Sequence, residues 1–210
     1  MAQHVVVVNF EVESEAYQAL SELKRDAANE EFIVSQACVV KKEGDRLLLQ
    51  DSFDTGIETR NDTLRGGLIG ALVGIIGGPL GVLLGYTGGT LMGHVVDSGD
   101  MARNLSLIEQ VSNSLPQDKT SLIALVSEKD PLSFDVRFVK FETYVTRLDA
   151  AEVAAEVEKA QEIQSRLQKE ARQQLREEKK EARRQRVERY QASLEADFEE
   201  FKRDFYSKNE

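Results

Sequence analysis

Between Gly66 and Gly93 the chain runs for 28 residues without a charged side chain, and 11 of the 28 are glycine. The glycines form two series of period four: Gly66, Gly70, Gly74 and Gly78, then Gly77, Gly81, Gly85, Gly89 and Gly93. That spacing lines each series along one helical face, a groove where another backbone can come close. A glycine costs a helix interior about 1 kcal/mol relative to alanine. Nine of them are tolerable only where close packing offsets the cost. Gly77, Gly78 and Pro79 supply a hairpin turn, because proline forbids a continuous helix there. Two arms follow, at 64–76 and 80–96, within an apolar insert spanning 64–97.

The flanks of the insert read as an ordinary α+β domain over residues 1–148. Val5 to Phe10 is a β-branched run too short for a helix. Ser14 is a candidate cap for a helix carrying Tyr17, Leu20 and Leu23 to about Ala28. Strands are expected at 32–42 and 46–53 around a Glu43-Gly44-Asp45 turn. After the insert come a helix over Met101 to Leu115 and a strand over Thr120 to Ser127. The Asp130-Pro131 pair starts a short helix, and Glu142 to Arg147 forms an edge strand. The order β-α-β-β-insert-α-β is that of a ferredoxin-like, split βαβ fold.

An uncharged run this long is a transmembrane candidate. Yet its flanking strands share one sheet in this reading, so the chain returns to the side it left. Each arm is also short, about 20 and 26 Å at 1.5 Å per residue, against about 30 Å of hydrocarbon. Two settings remain open: a hairpin inserted in a membrane, or the same hairpin buried among subunits. Phosphate-loop readings fail, since no lysine occurs between Lys42 and Lys119.

Residues 149–210 form a charged tail whose stretch from Asp149 to Tyr206 lacks proline and glycine, permitting one long helix. Its apolar stripe includes Leu167, Leu175, Val187, Tyr190, Leu194, Phe198, Phe201 and Phe205, the positions expected to carry tail association. The stripe advances about 3.7 residues per step, nearer an eleven-residue than a seven-residue repeat. Residues 166–189 carry a net charge of +5 and residues 190–210 a net charge of -3.

The chemistry-bearing residues are sparse. The net charge of -10 disfavours nucleic acid as a partner, since binding phosphates relies on a cationic surface. The one cysteine, Cys38, fits a reducing compartment and a small buried strand residue. His4 and His94 lack ligand-spaced companions, and Asp97 and Asp100 read as caps. The N-terminus has no basic n-region of a signal peptide. No catalytic residue, metal ligand, cofactor or small-molecule substrate is expected.

The VVVVNF strand, the paired glycine series and the SLIALV strand together resemble a family of bacterial proteins of unknown function. Its members are described as membrane proteins with a ferredoxin-like domain interrupted by a glycine-rich hydrophobic segment. The resemblance covers residues 4–148, attaches no catalytic residues and does not include the tail. The resulting expectation is a non-enzymatic homo-oligomer with itself and membrane lipid as partners. It would be cytoplasmic, on the inner face of the cell membrane, with a structural or stress role. A soluble self-assembling particle is the alternative, and a pore is a further variant.

Overall fold

A computed structural model describes residues 1–44, 46–56, 67–78 and 106–207, with side chains in the last segment to 190 and at 192 and 193. The elements are β1 (Ala2–Phe10), α1 (Glu13–Arg25), β2 (Phe32–Glu43), β3 (Arg46–Asp54) and α2 (Gly67–Ile76). They continue with α3 (Leu107–Ser114), β4 (Thr120–Glu128), α4 (Pro131–Asp135), β5 (Thr143–Asp149) and α5 (Ala150–Ser207). The chain divides into two compact units, Met1–Gln164 and Ser165–Glu210.

The α+β class holds, built on one antiparallel five-stranded sheet in the order β3-β2-β4-β1-β5. Both β1 and β2 are antiparallel to β4, which lies between them, so β1-α1-β2 is a split βαβ unit. The full ferredoxin-like order would instead place β3 between β1 and β2. Burial explains the difference. β4 is covered on both faces, all but one of its nine residues being buried, so it takes the centre. β3 has no buried residue, and its Gln50, Asp51 and Ser52 are exposed, so it fits only an edge. A bulge that skips Gln50 in the pairing with β2 also breaks the regularity of that edge.

Strand alternation sends side chains to two separate cores. Val5, Val7, Cys38, Val40, Ile123 and Leu125 face α2, α3 and the start of α5. Val6, Val8, Val34, Val39, Leu122 and Ala124 face α1 and an aromatic group beneath α4. Helices therefore cover both sheet faces, with α1 and α2 on opposite sides. In the aromatic group Phe134 meets Phe32 and Phe138 edge-on at ring-centroid distances of 5.4 and 5.2 Å.

Helix ends follow local chemistry, with one departure from expectation. Ser14 does not cap α1; Val12 occupies that position without a side-chain bond, and Glu13 and Glu15 fill the first turn. Carboxylates there favour the positive end of the helix dipole. Ser106 and Glu109 form a reciprocal capping box that starts α3, while residues 101–105 of the expected helix lie outside the described residues. Asp130 caps α4, with Pro131 in its first turn. Asp149 accepts hydrogen bonds from the backbone N–H groups of Ala151 and Glu152 and so opens α5.

Candidate assembly surface

The first arm of the insert becomes α2, and its start is set by a residue outside both glycine series. Gly67 has φ of +74°, a backbone shape that side chains disfavour, and a Cβ there would run into the Gln36 side chain. The space left open lets Gln36 Oε1 accept from the Ile69 N–H at 3.1 Å, satisfying one otherwise unpaired donor at the helix start. Gln36 Nε2 in turn donates to Asp54 at 2.8 Å, tying the helix start to the end of β3.

Seven of the ten residues of α2 are buried: Leu68, Ile69, Ala71, Leu72, Val73, Ile75 and Ile76. They join the sheet core with Val5, Cys38 and Ile123. The chain's own sheet, and neither lipid nor a sister subunit, covers this apolar side of α2. Each large aliphatic side chain fully buried is worth roughly 1.5–3 kcal/mol. Six such residues far outweigh the roughly 1 kcal/mol cost of each helical glycine.

Gly70 and Gly74 lie exposed, and a Cβ at either position would meet nothing within 4 Å among the described residues. At the end of α2 a Cβ on Gly78 would press on the Gly74 carbonyl oxygen at 2.4 Å, and one on Gly77 would crowd Leu47 O at 3.2 Å. Those two glycines allow close backbone approach, whereas Gly70 and Gly74 leave an open face. Gly66, Pro79, Gly81, Gly85, Gly89 and Gly93 lie outside the described residues, as do the second arm and the far side of the hairpin turn.

Beside this face, α2 and the β2–β3 edge enclose a cleft of about 250 Å³. Gln36, Cys38, Leu49, Phe53, Ile69 and Gly70 contribute to its walls. Burial pushes the Cys38 thiol up to about 12, partly countered by a backbone hydrogen bond from Ile123, so the inert thiol form prevails at neutral pH.

A charged cluster at the opposite end of the sheet was not foreseen. The Glu128 side chain is fully buried, with its carboxylate 2.8 Å from His4 Nδ1 and accepting from Arg147 Nε at 2.9 Å. Arg147 also donates to Asp135 at 3.1 and 2.5 Å and to the Pro131 carbonyl at 3.1 Å. Burial works against the Arg147 charge, but the hydrogen bonds and charges of Asp135 and Glu128 prevail and hold its pKa above the ordinary value. All three guanidinium nitrogens of Arg147 donate to a partner, which makes the cluster a clamp joining β1, β4, β5 and α4. His4 belongs to that clamp through its contact with Glu128. Sequence spacing offered no signal for it, because the partners sit on different elements.

In the tail, Leu167, Leu175, Val187 and Tyr190 are exposed. Leu194, Phe198, Phe201 and Phe205 fall within α5, with their side chains outside the described set. The first eleven residues of α5 behave differently: Ala150, Val153, Ala154, Val157 and Ala160 are buried in the core shared with α2. Among the described residues no helix is long and apolar enough to cross a membrane, and no group of acidic, His or Cys residues could hold a metal. The chain matches no protein-family model, no curated protein and no solved structure.

Proposed function

We propose that this chain is a non-enzymatic, self-assembling structural protein of the cytoplasm, and that copies meet through the glycine zipper of the insert. One arrangement supports the reading: α2 sinks its aliphatic side into its own sheet, while Gly70 and Gly74 meet nothing within 4 Å among the described residues. A helix needs no glycine on a face that meets only water, and two exposed glycines cost about 2 kcal/mol together. The cost is offset if another helix approaches that face, since small residues allow backbone contact. The occupant in this reading is the insert of a second copy, which carries the same period-four face. Such an assembly would suit a scaffold or stress role.

The test is Gly70→Ile with Gly74→Ile, measured by light scattering without detergent. Among the described residues nothing lies within 4 Å of a Cβ at either position, so the described part of the fold tolerates the larger side chains. A shift from a large discrete particle to smaller species is expected. An unchanged mass would sink the zipper as the contact.

A second reading keeps the membrane as a partner, on the strength of the 28 uncharged residues from Gly66 to Gly93. Lipid hydrocarbon is no more apolar than the sheet core that α2 already occupies, so transfer of its aliphatic residues gains little. Membrane contact, if made, then rests on the rest of the insert and leaves α2 docked. Cys38 reports the difference, because it lies beneath α2. A thiol reagent added with phospholipid vesicles should leave Cys38 unlabelled. Rapid labelling on vesicle addition would mean that α2 leaves the sheet, and alkaline carbonate extraction of cell membranes then decides whether the chain inserts.

A further inference from the structure

We infer that the tail helix pairs antiparallel with the tail of a second copy, centred near residue 188, an inference that rests on the self-assembly proposed above. Three observations set the direction and the register. The first is consumption of one end. The buried face at Ala150, Val153, Val157 and Ala160 belongs to the chain's own core, so this part of α5 is not free to receive another helix. Beyond it the apolar side chains emerge: Leu175 is 56% exposed, Val187 50% and Tyr190 66%. A helix with such a face wants a partner.

The second observation is charge. Residues 166–189 carry +5 and residues 190–210 carry -3. Parallel pairing in register lays each block on its own copy. Antiparallel pairing about residue 188 lays each basic belt on the acidic end of the other chain. Packed helices lie about 8–10 Å apart, within the Debye length of about 10 Å at 0.1 M salt. The block charges are therefore felt across the pair, and they select the antiparallel form.

The third is side-chain volume. Reflection about 188 brings position 171 opposite 205, 175 opposite 201 and 182 opposite 194. The residues are Ala171 with Phe205, Leu175 with Phe201, and Ala182 with Leu194. The thin stretch of one stripe thus meets the thick stretch of the other. Parallel pairing would crowd Phe201 on Phe201 and leave a gap between alanines, and both errors cost packing energy. Elsewhere the match is looser: Glu178 falls opposite Phe198, Val187 opposite Arg189, Tyr190 opposite Arg186 and Leu167 opposite Asn209.

Full-length chains with Leu175→Cys, Val187→Cys or Phe201→Cys, treated with a short bis-maleimide, test the register. Cys38 is buried and its thiol is pushed up to about 12, so it stays silent in the folded chain. Val187→Cys, next to the axis, should cross-link to itself. Leu175→Cys mixed with Phe201→Cys should give several-fold more dimer than either alone. Self-linking of Leu175→Cys as strong as in the mixture would make the pairing parallel and overturn the inference. Light scattering on the same samples separates the two levels of failure. Oligomers without any tail cross-link discard the tail pairing and leave the proposed assembly standing; monomers throughout discard both.

Discussion

The helices α2 and α5 both carry an apolar stripe, yet they spend it differently. α2 has ten residues without a charge and buries seven of them on its own sheet. α5 has 58 residues, buries five in its first eleven, and beyond Ala160 has no buried side chain among those described. The contrast teaches that composition did not decide which segment is covered. The glycine segment, more membrane-like by content, is integrated into the core at its first arm. The charged tail, soluble by content, is where large apolar side chains meet water. What remains open on α2 is a face of small residues, suited to backbone approach. What remains open on α5 is a face of large ones, suited to interdigitation.

The largest predicted effect tests whether α2 truly belongs to the core. Leu72 is fully buried, so Leu72→Ala should cost about 2–5 kcal/mol through lost burial and the cavity left behind. Hydrogen exchange at the amides of β4, the central strand, reads this loss directly. A change below about 0.5 kcal/mol, typical of a surface site, would mean that the sheet does not depend on α2.

A pH series sharpens the same point. The folded-state pKa of Cys38 is raised from 9.0 to about 12 by burial. Folding therefore favours the protonated thiol, and its full contribution is present below pH 9. Between pH 9 and 12 the unfolded chain releases this proton while the folded chain retains it, so stability falls as pH rises. At about 1.4 kcal/mol per pH unit the loss approaches about 4 kcal/mol. Cys38→Ala removes this component, so comparing the two chains isolates it from lysine and tyrosine titration. Parallel pH profiles would indicate a thiol in contact with water and an undocked α2.

Some of this architecture was legible in the residues. Val5 to Val8 and the TSLIALVS run announced strands because β-branched and aliphatic runs of that length fit a buried strand better than a helix. Asp130-Pro131 announced α4, since both the cap and the proline act locally. Within α2 the Gly70–Gly74 spacing fits one helical face. Strand order was harder, because it depends on comparing the coverage of β3 with that of β4. The polar Gln50, Asp51 and Ser52 held the clue to an edge position. The partner of α2 was hidden for a similar reason: an apolar stripe specifies that something covers it, not what. The Glu128–Arg147 clamp was least legible, as its distances arise only once β4 and β5 flank β1.

Smaller effects separate the glycines of α2 from one another. Gly67→Ala should destabilise by at least about 1–2 kcal/mol, the usual cost of a left-handed backbone for a residue with a Cβ, because it also displaces the Gln36 side chain. Gly70→Ala and Gly74→Ala should each stabilise the isolated fold by up to about 1 kcal/mol, because alanine is the better helix former and neither position has a close neighbour among the described residues. Urea unfolding at low protein concentration, where assembly is absent, gives the signs. Loss of stability at Gly70 or Gly74 under those conditions would reveal an intrachain contact on the face assigned here to a second copy.

The smallest effect lies in the tail. Leu175 is 56% exposed within the unit Ser165–Glu210, so Leu175→Ala should alter exchange at the β4 amides by no more than about 0.5 kcal/mol. The same substitution should weaken association between copies, because it removes a large side chain from the proposed tail seam. Sedimentation across a concentration series reads that second quantity. The pair of measurements places α2 and α5 on opposite sides of one divide: Leu72→Ala should strike folding first, and Leu175→Ala should strike association alone. A tail substitution that lowered β4 protection as much as Leu72→Ala would erase that divide, since folding of the sheet would then depend on tail pairing.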